Sequence, residues 1–135
     1  MELSAIMLVL APVCTHADTG DVCNFPTWRT RGWCRMELAA ALLARHNPRI
    51  LVSLGEVTPA FLYGVDAVNL PVGEGNFTCC ALGHEIGGKP TGCDKDKVFH
   101  LVETMLDGKV KHLSETGRTV DMRIFSCLRS SFLAV

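Results

Sequence analysis

Trp33, Cys34 and Glu37 stand within about one helical turn of each other at the start of an apolar segment. Trp33 and Glu37 are four residues apart, so on a helix their side chains share a face. A carboxylate beside an indole, on a helix that leaves a strand, opens onto the strand-end crevice where α/β folds bind ligands. There Glu37 could stabilise the positive charge of an oxocarbenium-like transition state and orient ribose hydroxyls through charge-assisted hydrogen bonds. The plainer expectation is that Trp33 and Cys34 are core and that Glu37 is a first-turn acid favoured by the helix dipole.

A second group of residues able to do chemistry lies in Thr78-Cys79-Cys80-Ala81-Leu82-Gly83-His84, followed by Cys93. Three thiolates and one imidazole form an allowed tetrahedral zinc set. Adjacent cysteines do not easily bind one metal, so the expected ligands are Cys80, His84 and Cys93 with one from outside, His100 being a substitute. The competing and simpler expectation is a loop with buried thiols and a solvated histidine. His16-Ala17-Asp18-Thr19-Gly20 follows the first strand, where Asp18 could contact a ligand or instead form an Asx turn onto Gly20. Arg31, just before the helix, is a further candidate for substrate contact. No Walker loop, Gly-x-Gly-x-x-Gly fingerprint or His-Glu-x-x-His motif is present.

The elements that must position these groups alternate in type. Ala5 to Leu10 is a continuous apolar run, as expected of a strand covered on both faces, and Pro12 ends it. A polar loop spans roughly residues 15 to 30. Gly32 to His46 is rich in helix formers and is stopped by Asn47-Pro48. Ile50 to Leu54 reads as a second strand, and Thr58 to Tyr63 as a short helical turn with Pro59 at its first position. Ala67 to Leu70 reads as a third strand. Residues 72–93 form a Gly- and Cys-rich loop. Asp94 is expected to cap a helix with the stripe Val98, Leu101, Val102 and Met105, interrupted at Asp107-Gly108. Val120, Phe125, Leu128 and Phe132 suggest a last helix.

This order predicts an α/β fold: a partial parallel sheet with flanking helices. The span 1–135 is one domain's worth of chain. Three short strands leave an apolar edge at Ile6 to Leu10. The chain is therefore expected to be the C-terminal part of a larger domain, or to cover that edge by self-association.

The apolar strand, the Trp-Cys-x-x-Glu-Leu helix and the strand that follows resemble the central segment of Toll/interleukin-receptor (TIR) domains, which have a flavodoxin-like fold. The resemblance covers roughly residues 4 to 54, with Glu37 at the position of the family's catalytic glutamate. It implies a TIR-like fragment that signals or hydrolyses NAD, with Trp33 shaping the pocket. Arg31 stands where the family usually has Ser, and the loop before the helix is about twice the usual length. The family's first strand and helix, which supply the other wall of the nucleotide pocket, have no counterpart here. The chain is also similar to proteins of unicellular algae that share the Arg-Gly-Trp-Cys-Arg-x-Glu core and the Phe-Thr-Cys-Cys segment, a resemblance that supplies no activity.

Composition narrows the function classes. With 48% apolar and 20% charged residues the chain can bury a core. A net charge of -1, with scattered basic residues, argues against nucleic acid and against an anionic membrane as partner, leaving protein partners or self-association. The longest apolar stretch, Ala5 to Cys14, is about half of the ~20 residues a spanning helix requires. Seven cysteines, an odd number, suit free thiols in a reducing cytoplasm. The alternative is secretion after cleavage at Ala17, which would leave six cysteines and an Asn76-Phe77-Thr78 glycosylation sequon.

Overall fold

A computed structural model describes residues 4–55, 58–63 and 70–117. The expected helix around Val120 to Phe132 and most of the expected strand at Ala67 to Leu70 lie outside them. The described residues form the α/β arrangement read from the sequence, a partly parallel sheet flanked by helices.

Strand β1 (Ile6–Leu10) pairs in parallel with β4 (Arg49–Ser53), Val9 standing opposite Val52. The connection between them carries helix α2 (Gly32–Leu43), so β1, α2 and β4 form one βαβ unit. Before α2 the polar loop is more ordered than its composition suggests. It contains a small hairpin, β2 (Cys14–Thr15) with β3 (Val22–Cys23), and a one-turn helix α1 (Phe25–Trp28). A capping box between Asn24 and Thr27 starts α1, each side chain bonding the other's backbone. The Asx turn expected at Asp18 is absent. His16 holds that turn instead, its Nδ1 accepting from the Asp18 and Thr19 N–H groups at 3.3 Å.

Two expectations about the strands are corrected. Thr58 to Tyr63 holds no helical turn; Ala60–Leu62 forms strand β5, antiparallel to β4. Pairing with β4 satisfies its backbone better than one isolated turn, which would close few hydrogen bonds. The expected two-sided burial of β1 also fails among the described residues. Met7 and Val9 turn toward α2, while Ile6, Leu8 and Leu10 point outward and are more than half exposed.

Helix α2 is apolar on two sides because it is packed on two sides. Leu38 and Ala41 press on Val9, Ile50 and Val52 of the sheet. Ala39 and Leu43 press on Val98 and Val102 of helix α4 (Asp94–Thr116). Helix α4 runs through Asp107-Gly108 without interruption, since one glycine costs only ~1 kcal/mol in a helix whose neighbours are packed.

The C-terminal end of α2 is completed by a residue from α4. Lys109 is buried, and its Nζ donates to the Ala44 carbonyl at 2.5 Å and to Asn47 Oδ1 at 2.6 Å. A cation here adds a donor to the Ala44 carbonyl, which also accepts the Asn47 N–H at 3.3 Å, and meets the negative end of the helix dipole. Lys109→Met keeps the apolar stem but leaves these acceptors without that donor. It is expected to lower unfolding free energy by about 1–3 kcal/mol, measured by urea denaturation.

Candidate metal centre

The Gly/Cys-rich stretch folds into three short pieces that converge on one point. Helix α3 (Thr78–Ala81) makes a single turn, then Gly83 and His84 both take left-handed backbone angles, φ 62° and 60°. For histidine this conformation is uncommon and strained, a kind of strain that clusters at functional sites. It closes the turn, with the His84 N–H donating to the Cys79 carbonyl at 2.7 Å. A hairpin follows, β6 (Glu85–Ile86) and β7 (Lys89–Pro90), turned by Gly87-Gly88, both at positive φ. The Thr91 N–H donates to the His84 carbonyl and brings the chain back to its start. Cys93 then becomes the N-cap residue of α4.

This path places Cys79 Sγ, Cys80 Sγ, Cys93 Sγ and a His84 ring nitrogen all within 4.8 Å of one another. Cys80 and Cys93 sulfurs are 3.7 Å apart, and those of Cys79 and Cys80 are 4.0 Å apart. Four ligands at tetrahedral zinc, with Zn–S near 2.3 Å, have sulfurs about 3.8 Å apart. The cluster therefore fits a tetrahedral ion with small adjustments.

Cys79 was the ligand that spacing alone did not supply. Adjacent residues usually diverge, but on the single turn of α3 both sulfurs reach the same side, and Cys79 is 3% exposed at the edge of the core. His100 is exposed on α4 and is not in the cluster. Of the expected loop of buried thiols and a solvated histidine, His84 is exposed as expected, but only Cys79 of the thiols is buried, since Cys80 is exposed and Cys93 is half-buried.

The electrostatics of the thiols reflect their crowding. Loss of hydration, then the shared S–H contacts with Cys93 and Cys79 and the charges on those thiols, push Cys80 up to about 11. Burial alone would raise Cys93 as well. The N–H groups of Asp96 and Lys95 at the open end of α4, together with His84 and Cys80, outweigh it. The net effect lowers Cys93. As thiolate ligands these three side chains would carry a concentrated negative charge that a divalent cation would balance.

A supporting layer surrounds the four ligands. The Asp94 N–H donates to Cys79 Sγ at 3.2 Å. The Asp94 carboxylate accepts from Lys97 Nζ at 2.8 Å and from Trp33 Nε1 at 3.2 Å, and these two contacts, Lys97 first, hold its carboxyl below the usual value. Trp33, 39% exposed, thus ties the start of α2 to the cluster. Nothing in the sequence signalled this link across the chain.

The other expected site residues sit apart from it. Glu37 is exposed on α2, four residues from Trp33 on the same stripe. Arg31 is exposed as the N-cap residue of α2, and Asp18 is exposed at the tip of the β2–β3 hairpin. Among the described residues, no hydrogen bond or ion pair joins Asp18, Arg31 and Glu37. Cys34 is buried, and burial, more than the opposing pull of Arg31, raises its thiol, as suits a packing residue. No described helix is long and apolar enough to cross a membrane. Comparison with family models, curated proteins and solved structures finds no match to this chain.

Proposed function

We propose that this chain is a non-catalytic protein-interaction module held in shape by a structural zinc ion. The observation that carries this reading is the four-ligand cluster of Cys79, Cys80, His84 and Cys93. Four protein ligands fill a tetrahedral coordination sphere and leave no position for water or substrate, which is the mark of a structural site rather than a catalytic one. Cys79 and Cys93 also border the core between α2 and α4, so the ion would brace the packing of those helices.

The interaction surface in this reading is the outer face of the sheet. Leu8, half-buried Leu51 and Phe61 lie side by side across the three strands, flanked by Ile6 and Leu10. Leu8 is 54% and Phe61 56% exposed. Such a face, beside the open edge of β1, suits burial against another protein chain, of which a second copy is the simplest. Elemental analysis is expected to give one zinc per chain. Light scattering is expected to show self-association that Leu8→Lys with Phe61→Lys abolishes. A wild-type chain that stays monomeric argues against a second copy.

A second reading is favoured by the parallel βαβ unit of β1, α2 and β4 and by the exposed Glu37 on its helix. It takes the frame as TIR-like, with Glu37 as catalytic carboxylate for NAD hydrolysis. The first reading expects no nicotinamide release when the chain is incubated with NAD. Release that disappears in Glu37→Gln would replace it with the second.

A further inference from the structure

We propose that Cys80 and Cys93 form an oxidative modification site, at which hydrogen peroxide joins two zinc ligands as a disulfide and so frees the metal. This rests on the zinc reading above. Their sulfurs are already 3.7 Å apart, so closing the bond needs only a small movement. Cys80 is exposed, where peroxide can reach it, and Cys93 is half-buried behind it. Cys79, the third thiol, is a poorer participant. It is buried, and its sulfur accepts the Asp94 N–H. A Cys79–Cys80 bond is further disfavoured because adjacent Cα atoms lie about 3.8 Å apart, short of the range of about 4.4–6.8 Å that disulfides span.

The steps balance. The Cys80 thiolate attacks one peroxide oxygen, the O–O bond breaks, and hydroxide leaves as Cys80 becomes a sulfenic acid. The Cys93 thiolate then attacks the Cys80 sulfur, the S–O bond breaks, and a second hydroxide leaves as the S–S bond forms. Two protons from solvent convert both hydroxides to water, and the two electrons that reduce peroxide come from the thiolates. Only Cys79 and His84 then remain as ligands. Two are too few for a structural zinc site, so the ion dissociates.

The test treats the full zinc-loaded chain with hydrogen peroxide in the presence of a chromogenic zinc chelator. Cleavage after Glu85 separates the peptide bearing Cys79 and Cys80 from the one bearing Cys93. The expected result is release of one zinc per chain, with those two peptides joined through Cys80 and lighter by two hydrogens. Reduction by dithiothreitol should restore zinc binding. A Cys14→Ser, Cys23→Ser variant removes the facing pair of the β2–β3 hairpin and should respond unchanged. A loaded chain that keeps its zinc under peroxide overturns the inference and leaves the zinc reading standing. Release with the cross-link elsewhere, or with Cys80 oxidised and unjoined, overturns it equally. A chain that takes up no zinc sinks the zinc reading itself.

Discussion

Stripping zinc from the loaded chain with a chelator is expected to lower its melting temperature by about 10–15 °C. A ligand held at about a thousand times its Kd contributes about 4 kcal/mol to the folded state. The loss should be this large because the ion would tie together a one-turn helix, a strained turn and a helix N-terminus that are otherwise joined by a few hydrogen bonds. Cys79→Ser should reproduce the loss, since it removes a ligand and breaks the contact between Cys79 Sγ and the Asp94 N–H. The destabilisation should exceed the ~1 kcal/mol typical of a point substitution. His100→Ala, outside the cluster, should leave both zinc content and melting temperature unchanged. Differential scanning calorimetry with and without chelator measures all three. Equal melting temperatures in the two conditions would refute the structural role of the metal.

The second large effect is expected at Gly75. A Cβ there would lie 2.4 Å from the Gly32 Cα and 2.6 Å from its nitrogen. Those neighbours are backbone, and backbone cannot swing aside as a side-chain tip can. The two segments are bound together, with the Gly32 N–H donating to the Asn76 carbonyl at 2.8 Å and the Asn76 N–H donating to the Thr30 carbonyl at 2.7 Å. Gly75→Ala must therefore part the start of α2 from the segment leading to α3. It is expected to cost about 3 kcal/mol or more in urea denaturation, the upper end of overpacking effects. Gly108→Ala provides the contrast. Apart from its chain neighbours and its own helix backbone, no atom lies within 4 Å of its Cβ position, and it sits inside α4, so it should stabilise the chain by about 1 kcal/mol.

The parts of the fold legible in the sequence were those with a strong local signal. The apolar run at Ile6 to Leu10, the helix formers from Gly32 and the run after Pro48 each predicted an element within a few residues of its observed bounds. Leu43 ends α2 three residues before the expected stop, because Lys109 captures the Ala44 carbonyl from across the chain. The β5 strand was not legible because its hydrogen-bond partner is β4, not its own neighbours. In the candidate centre, Cys80, His84 and Cys93 were legible from residue type. Cys79 and the Trp33–Asp94 bond were not, since both depend on where α3 and α4 come to rest. The two-sided cover expected for β1 came from its unbroken apolar run, which does not say on which faces other elements will sit.

The short span of chain that holds the ligands also bears on the order in which the protein assembles. Everything from Cys79 to Cys93 is local, joined by tight turns and a two-residue hairpin, so its closure is a fast event with little loop entropy to overcome. The parallel pairing of β1 with β4 is the opposite case, since the hairpin, α1 and α2 must all fall between the two strands before the first rung forms. Metal capture would thus come early and the sheet late. An ion held at the N-terminus of α4 would give α2 a prebuilt surface of Val98 and Val102 to dock on, making that end of the chain a folding nucleus for the sheet far from it in sequence.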